Sequence, residues 1–177
     1  MKTIKRVCGL LITALLIVVG EPAGTFQMAV AGDKVVAGYI EKVTLGQKVL
    51  VFKAKLDTGA RHSSLNATDI QMFERKGVSW VRFIVTDSKG KTMRMEKKAF
   101  RVAGIKTRDE TLQERPVIML LICLGPVQKE VEVNLVDRSF FNYQVLIGRS
   151  FLKGSFLVDS GAKFLNKLNA CTERADE

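Results

Sequence analysis

The chain has 177 residues, 47% of them hydrophobic and 26% charged, with a net charge of +10. That length suits one domain rather than two, and the composition excludes a disordered chain. A single histidine excludes a histidine-rich zinc site. The dispersed bases and sparse aromatics (7%) argue against a nucleic-acid partner, so the charge reads as a solvated basic exterior.

Lys2, Lys5 and Arg6 precede an apolar run from Val7 to Val19, and Ala29-Val30-Ala31 offers a small-residue cleavage site. This is the pattern of a secretory signal peptide. It predicts that residues 1–31 are a signal and residues 32–177 a single domain exported to the periplasm. The long gap between Val19 and Ala31 leaves an uncleaved inner-membrane anchor as the alternative. Export would place Cys123 and Cys171 in an oxidising compartment. Cys123 lies in the apolar run Val117 to Leu124, where a buried thiol is the default, and pairing with Cys171 stays open.

The remainder reads as short strands separated by turns. Val35 to Thr44 and Lys48 to Leu56 flank the hairpin turn Leu45-Gly46-Gln47. Asn66 to Lys76 suggests a short helix, capped by Asn66 or Thr68, with Ile70, Met72 and Phe73 as its apolar stripe and Gly77 as its stop. Trp80 to Thr86 and Lys91 to Lys97 surround a second turn at Asp87 to Gly90. The polar stretch from Lys97 to Pro116 has little to bury and is expected to be a mobile excursion. Val117 to Leu124 and Lys129 to Val136 flank Gly125-Pro126, a third hairpin. Tyr143 to Ile147, a helical turn at Ser150 to Lys153 and a strand at Phe156 to Val158 complete the chain. The sum is an all-β fold, a small barrel or sandwich with one or two short helices.

Leu56-Asp57-Thr58-Gly59-Ala60 places a carboxylate directly after an apolar strand. A strand end holds such a side chain rigidly yet lets it reach a cleft. Gly59 allows close backbone approach, and Thr58 offers a hydroxyl across an interface. Peptide hydrolysis by carboxyl groups needs one to accept a proton from water and one to protonate the carbonyl, so a single aspartate is half of a site. Val145-Leu146-Ile147-Gly148-Arg149 could lie behind the Asp57 loop and brace it. Asp159-Ser160-Gly161-Ala162 has a similar look, but too few residues follow it for a second lobe, so it reads as a turn. Ser63 and Ser64 lack an obvious base and are expected to bond locally within a turn.

These strings resemble the retropepsin-like aspartic proteases. Lys42 to Ala60 is similar to the hairpin leading into D-T-G-A in that family, and Pro116 to Leu152 is similar to its closing half. The similarity is closer to a bacterial group marked by LDTGARxSSL, ERPV and LxGRxFL, and it spans nearly all of residues 38–165. The resemblance implies a closed retropepsin-type barrel and a homodimeric aspartic endopeptidase acting on a peptide or protein substrate. In it Asp57 would be catalytic, Thr58 would grip the dimer partner, Gly59 would line the substrate backbone, and Ala60 would belong to the support of the catalytic loop. Ile147, Gly148 and Arg149 would support the loop. Lys97 to Pro116 would be the flap, with the Asp87 to Gly90 hairpin as rival. Arg61 and His62 stand where retroviral members carry acidic residues, so they would alter the substrate pocket. The group is often labelled an ATP-dependent zinc protease, yet no metal-ligand spacing or phosphate loop is visible, and no cofactor is expected. The competing reading is a peptide- or partner-binding module on the same fold.

Overall fold

The structure, a computed structural model, describes residues 33–46, 48–106, 112–169 and 171. The expected signal or anchor therefore lies outside the described residues. Strands β1 (Val35–Leu45) and β2 (Lys48–Leu56) form the first hairpin, with Thr44 opposite Val51. β3 (Ser63–Asn66) follows the Asp57 loop. β4 (Thr68–Arg75), β5 (Val78–Thr86) and β6 (Thr92–Lys98) make a separate three-stranded antiparallel sheet. β7 (Arg101–Lys106), β8 (Leu112–Leu124) and β9 (Val127–Val136) return to the main sheet. β10 (Val145–Ile147), the helical turn α1 (Arg149–Leu152) and β11 (Phe156–Lys163) close the chain.

The main sheet runs β11-β1-β2-β10-β3-β9-β8-β7. β1 also pairs with β8, Thr44 opposite Cys123 and Leu45 opposite Ile122, which closes the strands from β1 to β8 of that order into a barrel. The expected all-β closed barrel is thus the observed architecture. Its interior is filled by alternate residues such as Val43, Phe52, Leu65, Leu120, Leu135 and Ile147, each at most 1% exposed. Burying one such side chain contributes about 1.5–3 kcal/mol. The small sheet adds Val81, Phe83 and Val85 to the same core from its inner face. On its other side, Arg75 stacks over Trp80 while Arg75 and Arg82 both bond Glu96.

Three expectations are corrected. The helix expected at Asn66 to Lys76 is strand β4, preceded by the end of β3. A register shift falls between Thr68 and Gln71, where Asp69 takes a positive φ of 50°. That bulge inserts an extra residue; Ile70 packs half-buried against the core, while Phe73, opposite Trp80, is half-buried on the other face against Arg75 and Arg82. The spacing imitates a helical stripe. Gly77 stops no helix. With Lys76 (φ 53°) it forms the two-residue, positive-φ turn that joins β4 to β5.

The polar stretch after Lys97 is not an unstructured excursion where it is described. Arg101–Lys106 zips antiparallel onto β8 from Val117 to Leu112. An edge strand satisfies one side of its backbone this way, and Arg101 at its start bonds Glu132. Cys123, finally, is not a free thiol. It is bonded to Cys171, with Cα atoms 5.5 Å apart, because the tail returns across the barrel. Asn169 Nδ2 donates to Gly125 O (2.8 Å) and Thr44 Oγ1 to Asn169 O (3.0 Å).

Candidate active site

Asp57 sits at the end of β2, half-buried, one residue past the buried Leu56. Its own amide donates to Ile147 O at 2.8 Å, so β10 continues the sheet behind it. The carboxylate is oriented by its loop. Gly59 N and Ala60 N donate to Oδ1 at 2.9 and 3.1 Å. No group among the described residues donates to Oδ2. One oxygen is therefore pinned and the other is left to water or substrate.

The Ile147-Gly148-Arg149 string lies against the Asp57 loop. Arg149 Nη1 donates to Thr58 O (3.0 Å) and Gly59 O (2.7 Å), holding the loop by its carbonyls. Arg149 N and Ser150 N, at the start of α1, donate to Ala60 O and Arg61 O. Gly148 is required by contact, since a Cβ there would lie 2.5 Å from His62 O. Gly148 N donates to the fully buried Ser63 Oγ at 3.1 Å. Ser63 thus bonds across strands rather than within a turn. Thr58 and Gly59 are exposed.

Arg61 is exposed and meets α1 through its backbone. His62 turns away from the Asp57 carboxylate toward Glu132, with Nδ1 3.6 Å from its carboxylate, and Arg101 bonds the same carboxylate. Asp159 makes its own local turn, with Gly161 N donating to Oδ1 at 2.8 Å. It lies in β11 on the outer flank of β1. The Asp87 to Gly90 turn is fastened to the barrel: Ser88 N donates to Val51 O, and Lys53 N donates to Ser88 Oγ.

Two residues escaped the sequence reading. Arg138, in the loop between β9 and β10, and Arg115, in β8, lie within electrostatic reach of one another, and Arg138 also of Asp57. Burial pushes the Arg138 guanidinium below its ordinary value, Arg115 pushes the same way, and Asp57 pushes it back up. Burial likewise lowers Arg115. The local hints were the ERPV string, which contains Arg115, and the Asp137-Arg138 pair ahead of Phe140 and Phe141, which are 99% and 61% exposed.

The zinc label finds no donor set. Among the described residues no three His, Cys, Asp or Glu side chains converge to hold a metal. Cys123 and Cys171 are bonded to each other.

Comparison with known proteins agrees with this geometry. Three curated relatives are each named a probable alpha-L-glutamate ligase. Those from Shewanella halifaxensis and Shewanella pealeana are both 35% identical over 119 residues, covering 66% of this chain and 26% of the relative. The third, from Parasynechococcus marenigrum, is 30% identical over 130 residues, covering 71% and 28%. The chain thus spans about a quarter of the length of the curated relatives it matches. A crystal structure of a Legionella pneumophila protein of unknown function (Lpg0085, DUF785) superposes with a TM-score of 0.64 at 35% identity. It covers 75% of this chain and 98% of that one. The family described as retropepsin-like aspartic endopeptidase RimB matches residues 36–169, and the chain belongs to this RimB-like, retropepsin-like family.

Proposed function

We propose that the protein is an aspartic endopeptidase whose active unit is a homodimer pairing two copies of Asp57. The observation that carries this reading is the asymmetric carboxylate of Asp57: one oxygen is held by two loop amides, the other is unengaged, and the loop is braced from behind. Each chain supplies one such group, so a two-fold axis beside it would complete the pair. Two carboxyl groups that close share a proton, because both cannot be charged together. The ionised one takes a proton from water as its oxygen attacks the peptide carbonyl carbon. The protonated one gives its proton to the carbonyl oxygen. The tetrahedral adduct then collapses, the C–N bond breaks, and the leaving amine takes a proton from the dyad.

The substrate we infer is an acidic, glutamate-bearing peptide. The matching relatives are named for glutamate ligation, which supports this reading. The β7–β8 hairpin serves as the flap in this reading. The Cys123–Cys171 bridge supports export to the periplasm, with the inner-membrane anchor as the alternative arrangement.

Sedimentation of the mature protein, run beside a cleavage assay on a glutamate-rich peptide, tests the proposal. A dimer that cleaves, and loses cleavage in Asp57→Asn, is expected. A strict monomer that binds the peptide without cutting it would replace the enzyme by a binding module.

A further inference from the structure

Four of the eight described arginines find a carboxylate. Arg75 and Arg82 bond Glu96 at 2.7 Å, and Arg101 bonds Glu132. Arg138 and Arg115 bond none among the described residues. Arg115 directs Nε and Nη2 at the neutral amide oxygen of Gln113, at 3.0 and 2.7 Å. Arg138 spends Nη1 on Ser64 Oγ at a long 3.3 Å, and its buried Nε has no hydrogen-bond partner. The adjacent Asp137 turns its Oδ1 instead to Ser139 N and Ser139 Oγ.

The position of Arg138 is nevertheless fixed. Its backbone amide donates to Asn66 Oδ1 at 2.5 Å, and its guanidinium lies 4.3 Å from the centre of the Phe141 ring. It borders a cavity of about 440 Å³, to which Lys53, Asn66, Phe141 and Gln144 also contribute. A second cavity, of about 380 Å³, runs past Arg115. Asp57 lies within electrostatic reach of Arg138, but no described carboxylate hydrogen-bonds its fork, and a partly buried cation gains from an anion that does. A fork-shaped guanidinium matches a carboxylate.

We propose that Arg138, assisted by Arg115, is the specificity-determining residue that receives a substrate side-chain carboxylate beside Asp57. The proposal rests on the peptidase reading for its catalytic consequence, but not for the binding itself. The bound carboxylate would accept from the unused Arg138 donors and stand between the two guanidiniums. Their mutual repulsion would thereby turn into shared attraction. Phe141, stacked on Arg138, would keep the fork planar to the incoming group.

Two peptides of equal length test it, one carrying glutamate and the other glutamine at every acidic position. The variants are Arg138→Met, Arg138→Lys and Arg115→Met, each first checked for a wild-type melting curve. In Arg138→Met the ratio of kcat/KM for the glutamate over the glutamine peptide should fall about tenfold to a hundredfold, mostly through KM. Arg138→Lys should recover part of that ratio, and Arg115→Met should lose less of it. If Arg138→Met loses the same factor on both peptides, the residue is only a support for the loop and the proposal fails. An unchanged ratio also overturns it. The same comparison is made by fluorescence anisotropy of the labelled peptides on Asp57→Asn. Should wild type cleave neither peptide, the peptidase reading falls. Loss of glutamate-peptide binding in the Arg138→Met, Asp57→Asn double variant would still uphold the carboxylate site, and equal binding would sink it.

Discussion

Two Asp-x-Gly turns in this chain look alike at first contact. In both, the glycine amide donates to the aspartate Oδ1, at 2.9 Å for Asp57 and 2.8 Å for Asp159. Their surroundings separate them. The Asp57 loop is gripped by Arg149 through its carbonyls, by α1 amides and by the close-packed Gly148. The Asp159 turn is a bulge in a flanking strand. There β11 falls out of register with β1 between Gly38 and Ile40, and its side chains are mostly exposed. A local turn thus costs little sequence and recurs freely. What makes a carboxylate fit for chemistry is the second layer that stops the turn from moving.

The largest expected effect breaks that comparison directly. Asp57→Asn should lower kcat on a glutamate-rich peptide roughly a thousandfold or more, while Asp159→Asn should stay within about threefold. Equal losses in a steady-state assay would mean the second layer does not distinguish the two turns.

The flank that carries Asp159 is tied down by the tail. The Cys123–Cys171 bridge spans 48 positions. Cys171→Ser should therefore reduce unfolding free energy by about 2–4 kcal/mol in urea titration, with cleavage per folded molecule retained. Loss of specific activity would show that the flank communicates with the site.

A matched pair of glycines sharpens the contrast. A Cβ on Gly148 would meet His62 O at 2.5 Å, and a Cβ on Gly38 would meet Ala162 O at 2.5 Å. Each change to alanine should cost about 1–3 kcal/mol of stability. Only Gly148→Ala should also depress kcat, because it pushes on the Asp57 loop.

The smallest effect lies near neither turn. Hydrogen bonds from Arg82 and then Arg75 lower the Glu96 carboxyl below its ordinary value of 4.5. Its folded state therefore binds fewer protons than its unfolded state. The resulting stability is present above pH 4.5 and fades as pH falls through the lowered folded value. Glu96→Gln should flatten the melting temperature against pH in that acidic window, slightly, and leave both turns unaffected.

Much of this architecture could be read from the chain because hairpin turns and period-two strands are local signals. Gly46, Gly90 and Gly125 each take positive φ where a turn was expected. β4 was misread because a bulge at Asp69 altered its period, and a bulge is decided by the neighbouring strand rather than by the residues in it. β7 was missed because an edge strand carries charge where a central one carries valine. Asp57 and its bracing string were legible as motifs. Arg138 was not, since its importance lies in which carboxylates fail to reach it, and only three-dimensional neighbours reveal that.

Glu41 ties the first strand of the barrel to the tail. It is 0% exposed, and a carboxyl group buried there demands hydrogen-bond partners. Gly38 N supplies one nearby at 2.8 Å. The others, Leu165 N and Asn166 N and Nδ2, come from 124 and 125 positions further along. At about 5–20 residues per second a ribosome needs roughly 6–25 s to deliver them. A carboxyl group sealed into the barrel before they arrive would have Gly38 N alone among its described donors.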